Sequence, residues 1–140
     1  MFKRLECSSA GDRRFSALYA QVTIHGKTDT IERWYQSCKR DASGLVPGKG
    51  RAVAYVLCPF SGRKFQPSAL TPIYQSLWIK YLDAHPELVA YAKGFDIFTD
   101  QFRGRATNVS ADVIRAYVRD SEKLKESVRA TEYYQSLLRK

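Results

Sequence analysis

Glu32, Gln36 and Lys39 are the polar residues whose types and spacing first suggest chemistry. If residues 30–40 form a helix at about 100° per residue, steps of four and seven positions place these side chains within an arc of about 60°. A carboxylate, an amide and an ammonium would then project together, a set suited to general acid or base catalysis. The apolar residues of the same segment follow the i, i+3, i+4, i+7 pattern of a buried stripe: Ile31, Trp34, Tyr35 and Cys38.

Two structural roles compete with catalysis for Glu32. The first is a plain surface face, in which Glu32 and Lys39 are solvated charges, the commoner outcome for an arbitrary helix. The second is a capping box, because Asp29 precedes the helix and Glu32 stands three positions later. This segment alone leaves both roles open.

The composition indicates a packed protein of one domain, residues 1–140. The chain has 140 residues, 44% of them hydrophobic and 13% aromatic, enough to bury a core without disulfides or metal. Its start has no apolar signal-peptide region, and no apolar stretch approaches the length of a membrane span. We therefore expect a soluble, cytoplasmic protein with no membrane partner. The sequence does not indicate an oligomeric state.

The cysteines and histidines argue against a metal or other cofactor. Cys7, Cys38 and Cys58 are an odd number and form no C-x-x-C pair, which predicts reduced thiols. His25 and His85 have no second ligand at metal-binding spacing. We expect neither a zinc site nor a bound cofactor.

The charge of the chain indicates an anionic partner. The formal net charge is +9, and an excess of Lys and Arg attracts phosphates independently of sequence. Residues 41–51 form a Gly- and Pro-rich loop that carries Lys49 and Arg51 but lacks the spacing of a Walker A motif. It is either a basic loop beside the site or a simple connector, with equal support for each.

The remaining elements predict a mainly α fold with a small β element, of the α+β class. Residues 1–15 read as a polar loop, and strands are expected at 20–24 and 52–58. Helices are expected from Thr71, with Thr as N-cap, from Pro86 to a stop at Gly94, and from Asn108 or Ser110. Residues 95–105 read as a loop, and 121–140 as a charged C-terminal helix that docks on the body or binds a partner.

Three blocks of this chain resemble the NADAR (YbiA-like) family. Phe15-Ser16-Ala17-Leu18-Tyr19 is similar to F-S-N-F-Y, and residues 30–39, TIERWYQSCK, are similar to T-V-E-H-x-Y-Q-A-x-K. The segment from Asp100 to Gly104, followed by Asn108 and an apolar helix ending at Val118-Arg119, is similar to D-x-x-W-G, N-x-x-G and V-R. Each block is short, and their order and spacing carry the resemblance.

The resemblance implies a small helical fold and N-glycosidic chemistry on ribose-linked compounds. Glu32 would be the principal catalytic carboxylate, with Lys39 and Asp100 completing the catalytic set. Lys39 would protonate or bind the leaving base, or attack an opened ribose as a Schiff-base nucleophile. The substrate-binding residues implied are Ser16, Tyr19, Trp34, Gln36, Arg103, Gly104 and Asn108.

The chain departs from the family pattern at three positions. Arg33 stands in place of His, Ala17 in place of Asn, and Arg103 in place of a Trp that stacks on the ligand. A guanidinium can also stack on a base and pair with phosphate. From charge, we expect Lys49, Arg51 and Arg105 to contact phosphates, together with Arg103.

Three functions are compatible with these features. The first is an N-glycosidase that removes ADP-ribose, or a related ribosyl group, from a nucleobase, with DNA or RNA as a substrate that the charge favours. The second is a non-catalytic basic nucleic-acid-binding protein. The third is an ADP-ribose or nucleotide sensor on the same scaffold. Convergence of Glu32, Lys39 and Asp100 on one site would favour the first and third.

Overall fold

The fold combines six α-helices and seven short strands in residues 2–48, 50–101 and 108–137, the part of the chain that the computed structural model describes. The helices are α1 (Ile31–Ser37), α2 (Leu70–Asp83), α3 (Pro86–Ala92), α4 (Ser110–Arg119), α5 (Ser121–Arg129) and α6 (Tyr134–Leu137). The strands are β1 (Arg4–Glu6), β2 (Gln21–Ile24), β3 (Lys27–Thr30), β4 (Lys39–Arg40), β5 (Tyr55–Leu57), β6 (Lys64–Phe65) and β7 (Ile97–Thr99). The predicted α+β class is confirmed.

The strands form three small sheets. β1 pairs with β7 in parallel, from Arg4 opposite Ile97 to Glu6 opposite Thr99. β2 and β3 form an antiparallel hairpin, and β4, β5 and β6 form an antiparallel sheet in that order. Two segments predicted to be loops therefore contribute strands, the N-terminal one to β1 and residues 95–105 to β7. The pairing explains the error, because each strand is only three residues long and is completed by a partner that is distant in sequence.

The β2–β3 hairpin positions α1. His25 and Gly26 both have positive φ, 50° and 80°, the conformation of the two-residue turns that match the twist of paired strands. The predicted alternation is confirmed in β2, where Val22 and Ile24 are buried. The Trp34 indole donates a 2.8 Å hydrogen bond to the Val22 carbonyl and so fixes α1 against the hairpin.

The long helix α2 forms the centre of the core, as its spacing predicted. Ile73, Leu77, Trp78 and Leu82 are completely buried. The helix begins at Leu70, directly after a 3-10 turn at Pro67–Ala69, so the predicted N-cap Thr71 lies inside its first turn. The buried apolar residues form one cluster that extends from Leu5 to Leu137.

The C-terminal region forms two helices, and the single helix predicted for 121–140 is wrong. α5 ends at Arg129, and α6 begins only at Tyr134. Between them Tyr133 packs edge-on against Phe65 at 5.0 Å between ring centroids, and its hydroxyl bonds to Ser68 at 2.6 Å. Because a continuous helix would carry Tyr133 away from these partners, docking on the body ends α5. In the described part of the chain, no helix is long and apolar enough to cross a membrane.

Candidate functional site

The start of α1 leaves the Glu32 side chain available for chemistry. The N-cap is Thr30, whose hydroxyl accepts from the Arg33 N–H at 3.1 Å. The predicted capping box is therefore wrong, because Asp29 accepts from the Thr30 N–H at 2.8 Å instead and Glu32 comes one position too early in the helix. The half-buried Glu32 carboxylate accepts from the Gln36 amide at 2.9 Å, so two of the predicted site residues are in contact.

Lys39 reaches the site from a strand. α1 ends at Ser37 with Cys38 as C-cap, and Lys39 begins β4. The predicted helical arc of Glu32, Gln36 and Lys39 is thus wrong for Lys39, since its helix stops two residues earlier. The Lys39 Nζ nevertheless lies 4.6 Å from the centroid of the Tyr35 ring, within the range of a cation–π contact.

Tyr35 joins several of the predicted residues. Its hydroxyl accepts from the Asn108 amide at 2.7 Å, and its ring packs edge-on against Tyr74 at 5.0 Å between centroids. Asn108 lies two residues before α4, so the contact connects the segment that leads into α4 to the middle of α1. Tyr35 was predicted only as a member of the buried stripe, and its bridging role depends on tertiary contacts that no local spacing reveals.

Glu32 and Asp100 both influence the buried hydroxyl of Tyr74. Burial raises the pKa of Tyr74 to about 12, and the nearby carboxylates of Glu32 and Asp100 act in the same direction by disfavouring a second negative charge. The Tyr74 hydroxyl, at 2.8 Å from the Ser110 hydroxyl, is therefore protonated at neutral pH. Both predicted catalytic carboxylates lie within electrostatic range of this one buried hydroxyl.

Asp100 is positioned by the β1–β7 pair. It directly follows β7, and the Cys7 N–H donates to the Thr99 carbonyl at 2.7 Å. Burial raises the pKa of the Cys7 thiol to about 12, with Asp100 as the largest charged contributor. Cys7 is thus a buried, protonated neighbour of Asp100, which fits a structural role rather than a nucleophilic one.

Glu6 anchors this edge, a role that no sequence motif indicates. Its carboxylate accepts from the Thr99 hydroxyl at 2.7 Å, from the Gln101 N–H at 2.9 Å and from the Ser8 hydroxyl. Burial alone would raise the pKa of Glu6, but these hydrogen bonds outweigh it and hold the pKa below its usual value. A Cβ on Gly11 would lie 2.4 Å from the Glu6 carbonyl, so this turn requires glycine.

Ser16 and Tyr19 lie in the turn that contacts the start of α1. The Ala17 carbonyl of this turn accepts from the Glu32 N–H at 2.9 Å. Ser16 is 2% exposed, and its hydroxyl accepts from the Leu18 N–H at 3.3 Å, which gives it a role within the turn. Tyr19 is 46% exposed, with the Arg13 guanidinium 4.7 Å from its ring centroid. Arg13 is a neighbour of the site that the motif did not include.

The other predicted residues do not join this group in the described part of the chain. Trp34 lies about 160° from Glu32 around α1, and its indole N–H is used by Val22. Arg51 is exposed in the loop between β4 and β5. The remaining predicted residues lie outside the described residues: Lys49, Arg103, Gly104 and Arg105.

The group described is therefore two carboxylates, an ammonium and two amides in the neighbourhood of two tyrosines. Among the described residues, no set of three or more His, Cys, Asp or Glu side chains is arranged to hold a metal ion. Comparison with known proteins finds no family model that matches the chain and no curated protein that is similar to it.

Proposed function

We propose that this protein is an N-glycosidase that removes ADP-ribose, or a related ribosyl group, from a nucleobase, on a NADAR (YbiA-like) scaffold. The observation that carries the proposal is the placement of Glu32. Its carboxylate is half-buried, held by Gln36 at 2.9 Å, and lies within electrostatic range of the same Tyr74 hydroxyl as Asp100. Glycosidic bond hydrolysis uses two carboxylates, and Asp100 is the candidate for the second.

Glu32 would act on the carbon–nitrogen bond at the anomeric carbon of the ribose. As that bond breaks, its electron pair leaves with the base and positive charge develops on the ribose ring. A carboxylate beside the ring stabilises this charge and takes a proton from the attacking water, whose oxygen forms the new bond to carbon. The hydrogen bond from Gln36 orients Glu32 for this step.

Lys39 and Asn108 would act on the other parts of the substrate. Lys39, held against the Tyr35 ring, would supply a proton or a hydrogen bond to the departing base, which must accept a proton once it leaves as an anion. Asn108, anchored to the Tyr35 hydroxyl, would contact the sugar or base together with Asp100. One aromatic side chain thus supports both polar groups.

The exposed ring of Tyr19 would line the entrance to the site. The turn that contains Tyr19 is hydrogen-bonded to the start of α1, and Arg13 lies over the Tyr19 ring. An aromatic face next to a guanidinium suits a nucleobase or a diphosphate. The net charge of +9 favours substrates attached to DNA or RNA over a neutral nucleoside.

The test is release of ADP-ribose from ADP-ribosylated guanosine and from an oligonucleotide that carries the same modification. We expect turnover by the native chain, and a loss of about 10²- to 10⁴-fold in kcat/KM for Glu32→Gln at unchanged circular dichroism. The matched control is Glu87→Gln. Glu87 is also the second residue of its helix but is exposed on α3, so its variant should keep full activity.

Two results would overturn the proposal. One is no release from either substrate by the folded native protein. The other is equal turnover by Glu32→Gln and the native chain. Tight binding of ADP-ribose without turnover would instead assign a sensor function to the same residues.

A further inference from the structure

The β4–β5–β6 sheet has an outer face that is distinct from the Glu32 site. Side chains alternate between the two faces of a strand. Val56 is fully buried, so its neighbours in the pairing register, Lys39 and Phe65, lie on the inner side. The residues on the outer side are then Arg40, Tyr55, Leu57 and Lys64. Strand β4 thus presents one cation to each side, Lys39 towards Tyr35 and Arg40 outwards.

This outer face includes a small open cavity with a fixed cation. The cavity has a volume of about 180 Å³. It is lined by Trp34, Ser37, Cys38, Arg40, Leu57, Cys58 and Pro59. The Arg40 Nη1 donates to the Ser37 and Lys39 carbonyls at 2.5 and 2.8 Å, which fixes the guanidinium at the cavity. Apart from these carbonyls, Arg40 has no hydrogen-bond partner within the described ranges, and its Nε and Nη2 donors can serve a ligand.

Two further cations on aromatic rings extend this face. The Lys64 Nζ lies 4.2 Å from the Tyr55 ring centroid, and the Lys27 Nζ lies 5.5 Å from the Trp34 ring centroid. The His25 ring bonds to the Phe60 carbonyl at 2.8 Å and so ties the β2–β3 turn to the turn after β5. Hairpin and sheet therefore form one continuous surface.

The segment that contributes β5 and β6 is rich in cations in the sequence. Residues 42–82 contain no Asp or Glu, whereas Lys or Arg occurs at positions 49, 51, 63, 64 and 80. Three carboxylates lie nearby. Asp29, on the same strand as Lys27, forms an ion pair with Arg33 at 3.4 Å. Asp41 accepts three hydrogen bonds from Ser43 and Leu45 within its own loop, and Glu132 accepts from Gln66 at 3.1 Å.

We propose that this outer face binds single-stranded nucleic acid, with Arg40, Lys64 and Lys27 on the phosphates and a base in the cavity beside Trp34. Cations spaced around flat aromatic and apolar surface are the features that bind single strands without sequence preference. This surface and the Glu32 site use different residues on opposite sides of α1. The proposal therefore stands or fails separately from the glycosidase activity.

The experiment measures fluorescence anisotropy of a labelled oligothymidine of about 20 nucleotides with the full chain between about 50 and 200 mM salt. We expect binding that weakens with salt, and a log–log slope that is smaller by about 1.4 in Lys27→Gln/Lys64→Gln, since each lost phosphate contact removes about 0.7. The matched control is Lys93→Gln/Lys123→Gln, which removes the same charge from exposed positions on the α3 end and α5 and should keep the native slope.

A second comparison separates the contribution of the bases to affinity from that of the phosphate charges. An abasic strand of equal length keeps the phosphates but has nothing to place in the cavity, so the oligothymidine should bind about fivefold or more tightly. Polyglutamate of similar charge is measured as a third ligand. Four results would overturn the proposal: no binding at low salt, equal loss of slope in both double variants, equal affinity for the abasic strand, or equal affinity for polyglutamate. The last result would assign the face to anionic polymers in general.

Discussion

The Asn108 amide donates a 2.7 Å hydrogen bond to the Tyr35 hydroxyl and so links the start of α4 to the centre of α1. The same tyrosine has Lys39 against its ring and Tyr74 at its edge. Tyr35 is only 8% exposed, so in the proposed function it would act through these neighbours rather than by contact with a substrate. It is a positioning residue of the proposed site.

Tyr35→Phe should lower kcat/KM by about tenfold, because Asn108 loses the hydrogen bond that orients it, equivalent to about 1.4 kcal/mol. The matched control is Tyr81→Phe, which removes a hydroxyl that donates a 2.7 Å hydrogen bond to the Arg14 carbonyl, outside the proposed site. Both variants should lose about 1 kcal/mol of unfolding free energy in urea, and only Tyr35→Phe should lose activity. Equal kinetics for the two variants would remove Tyr35 from the site.

Lys39 should act as a cation and not as a covalent nucleophile. A contact with the face of an aromatic ring uses the ammonium, whereas Schiff-base formation needs the neutral amine. We expect Lys39→Met to lower kcat/KM by about 10²-fold, Lys39→Arg to stay within about tenfold of the native value, and borohydride to trap no adduct by mass spectrometry.

The control for this series is Lys3→Met. The Lys3 Nζ lies 5.6 Å from the Phe95 ring centroid, a similar contact at an exposed position away from Glu32, so its loss should leave turnover unchanged. A borohydride-trapped ribosyl adduct on Lys39 would establish the Schiff-base route instead.

Glu6 should make stability depend on pH in the acid range. Its pKa is lower in the folded protein than in the unfolded chain, where it is near 4.5, because Ser8, Thr99 and Gln101 donate hydrogen bonds to the carboxylate. A lowered pKa means that the stabilisation is complete above pH 4.5 and is lost as the pH falls through the folded-state value.

The measurement is the free energy of unfolding in urea of the native chain and of Glu6→Gln, from neutral to acid pH. Glu6→Gln should be less stable at neutral pH by about 1 to 3 kcal/mol, and the difference should shrink below pH 4.5. Glu87→Gln, which removes an exposed carboxylate, should follow the native curve. A difference that stays constant with pH would show that the loss is one of packing and not of ionised hydrogen bonds.

Local sequence patterns were sufficient for the elements that bury an apolar stripe. Helix α2 has its core residues at helical spacing, α3 runs from Pro86 towards Gly94, and β2 alternates as expected. Helix starts were less certain, because Asp29 and Thr30 are both good N-caps and local spacing does not decide between them. That single position determines whether Glu32 caps its helix.

The parts that could not be predicted are those made by distant partners. β1 and β7 carry no strong strand signal and exist because they pair with each other. Helical spacing predicts Lys39 beside Glu32, yet Lys39 lies on a strand and its ammonium contacts the Tyr35 ring, so helical spacing does not describe its position. Glu6 and Arg13 have no recognisable motif, and their roles follow only from the fold.

The parallel pairing of β1 with β7 also determines the order in which the molecule can be completed. During synthesis the first strand must wait until nearly a hundred residues have emerged before its partner exists, because Glu6 bonds to Thr99 across 93 positions. The Asp100 edge is therefore assembled late, and until then β1 is an unpaired strand edge to which other chains can pair.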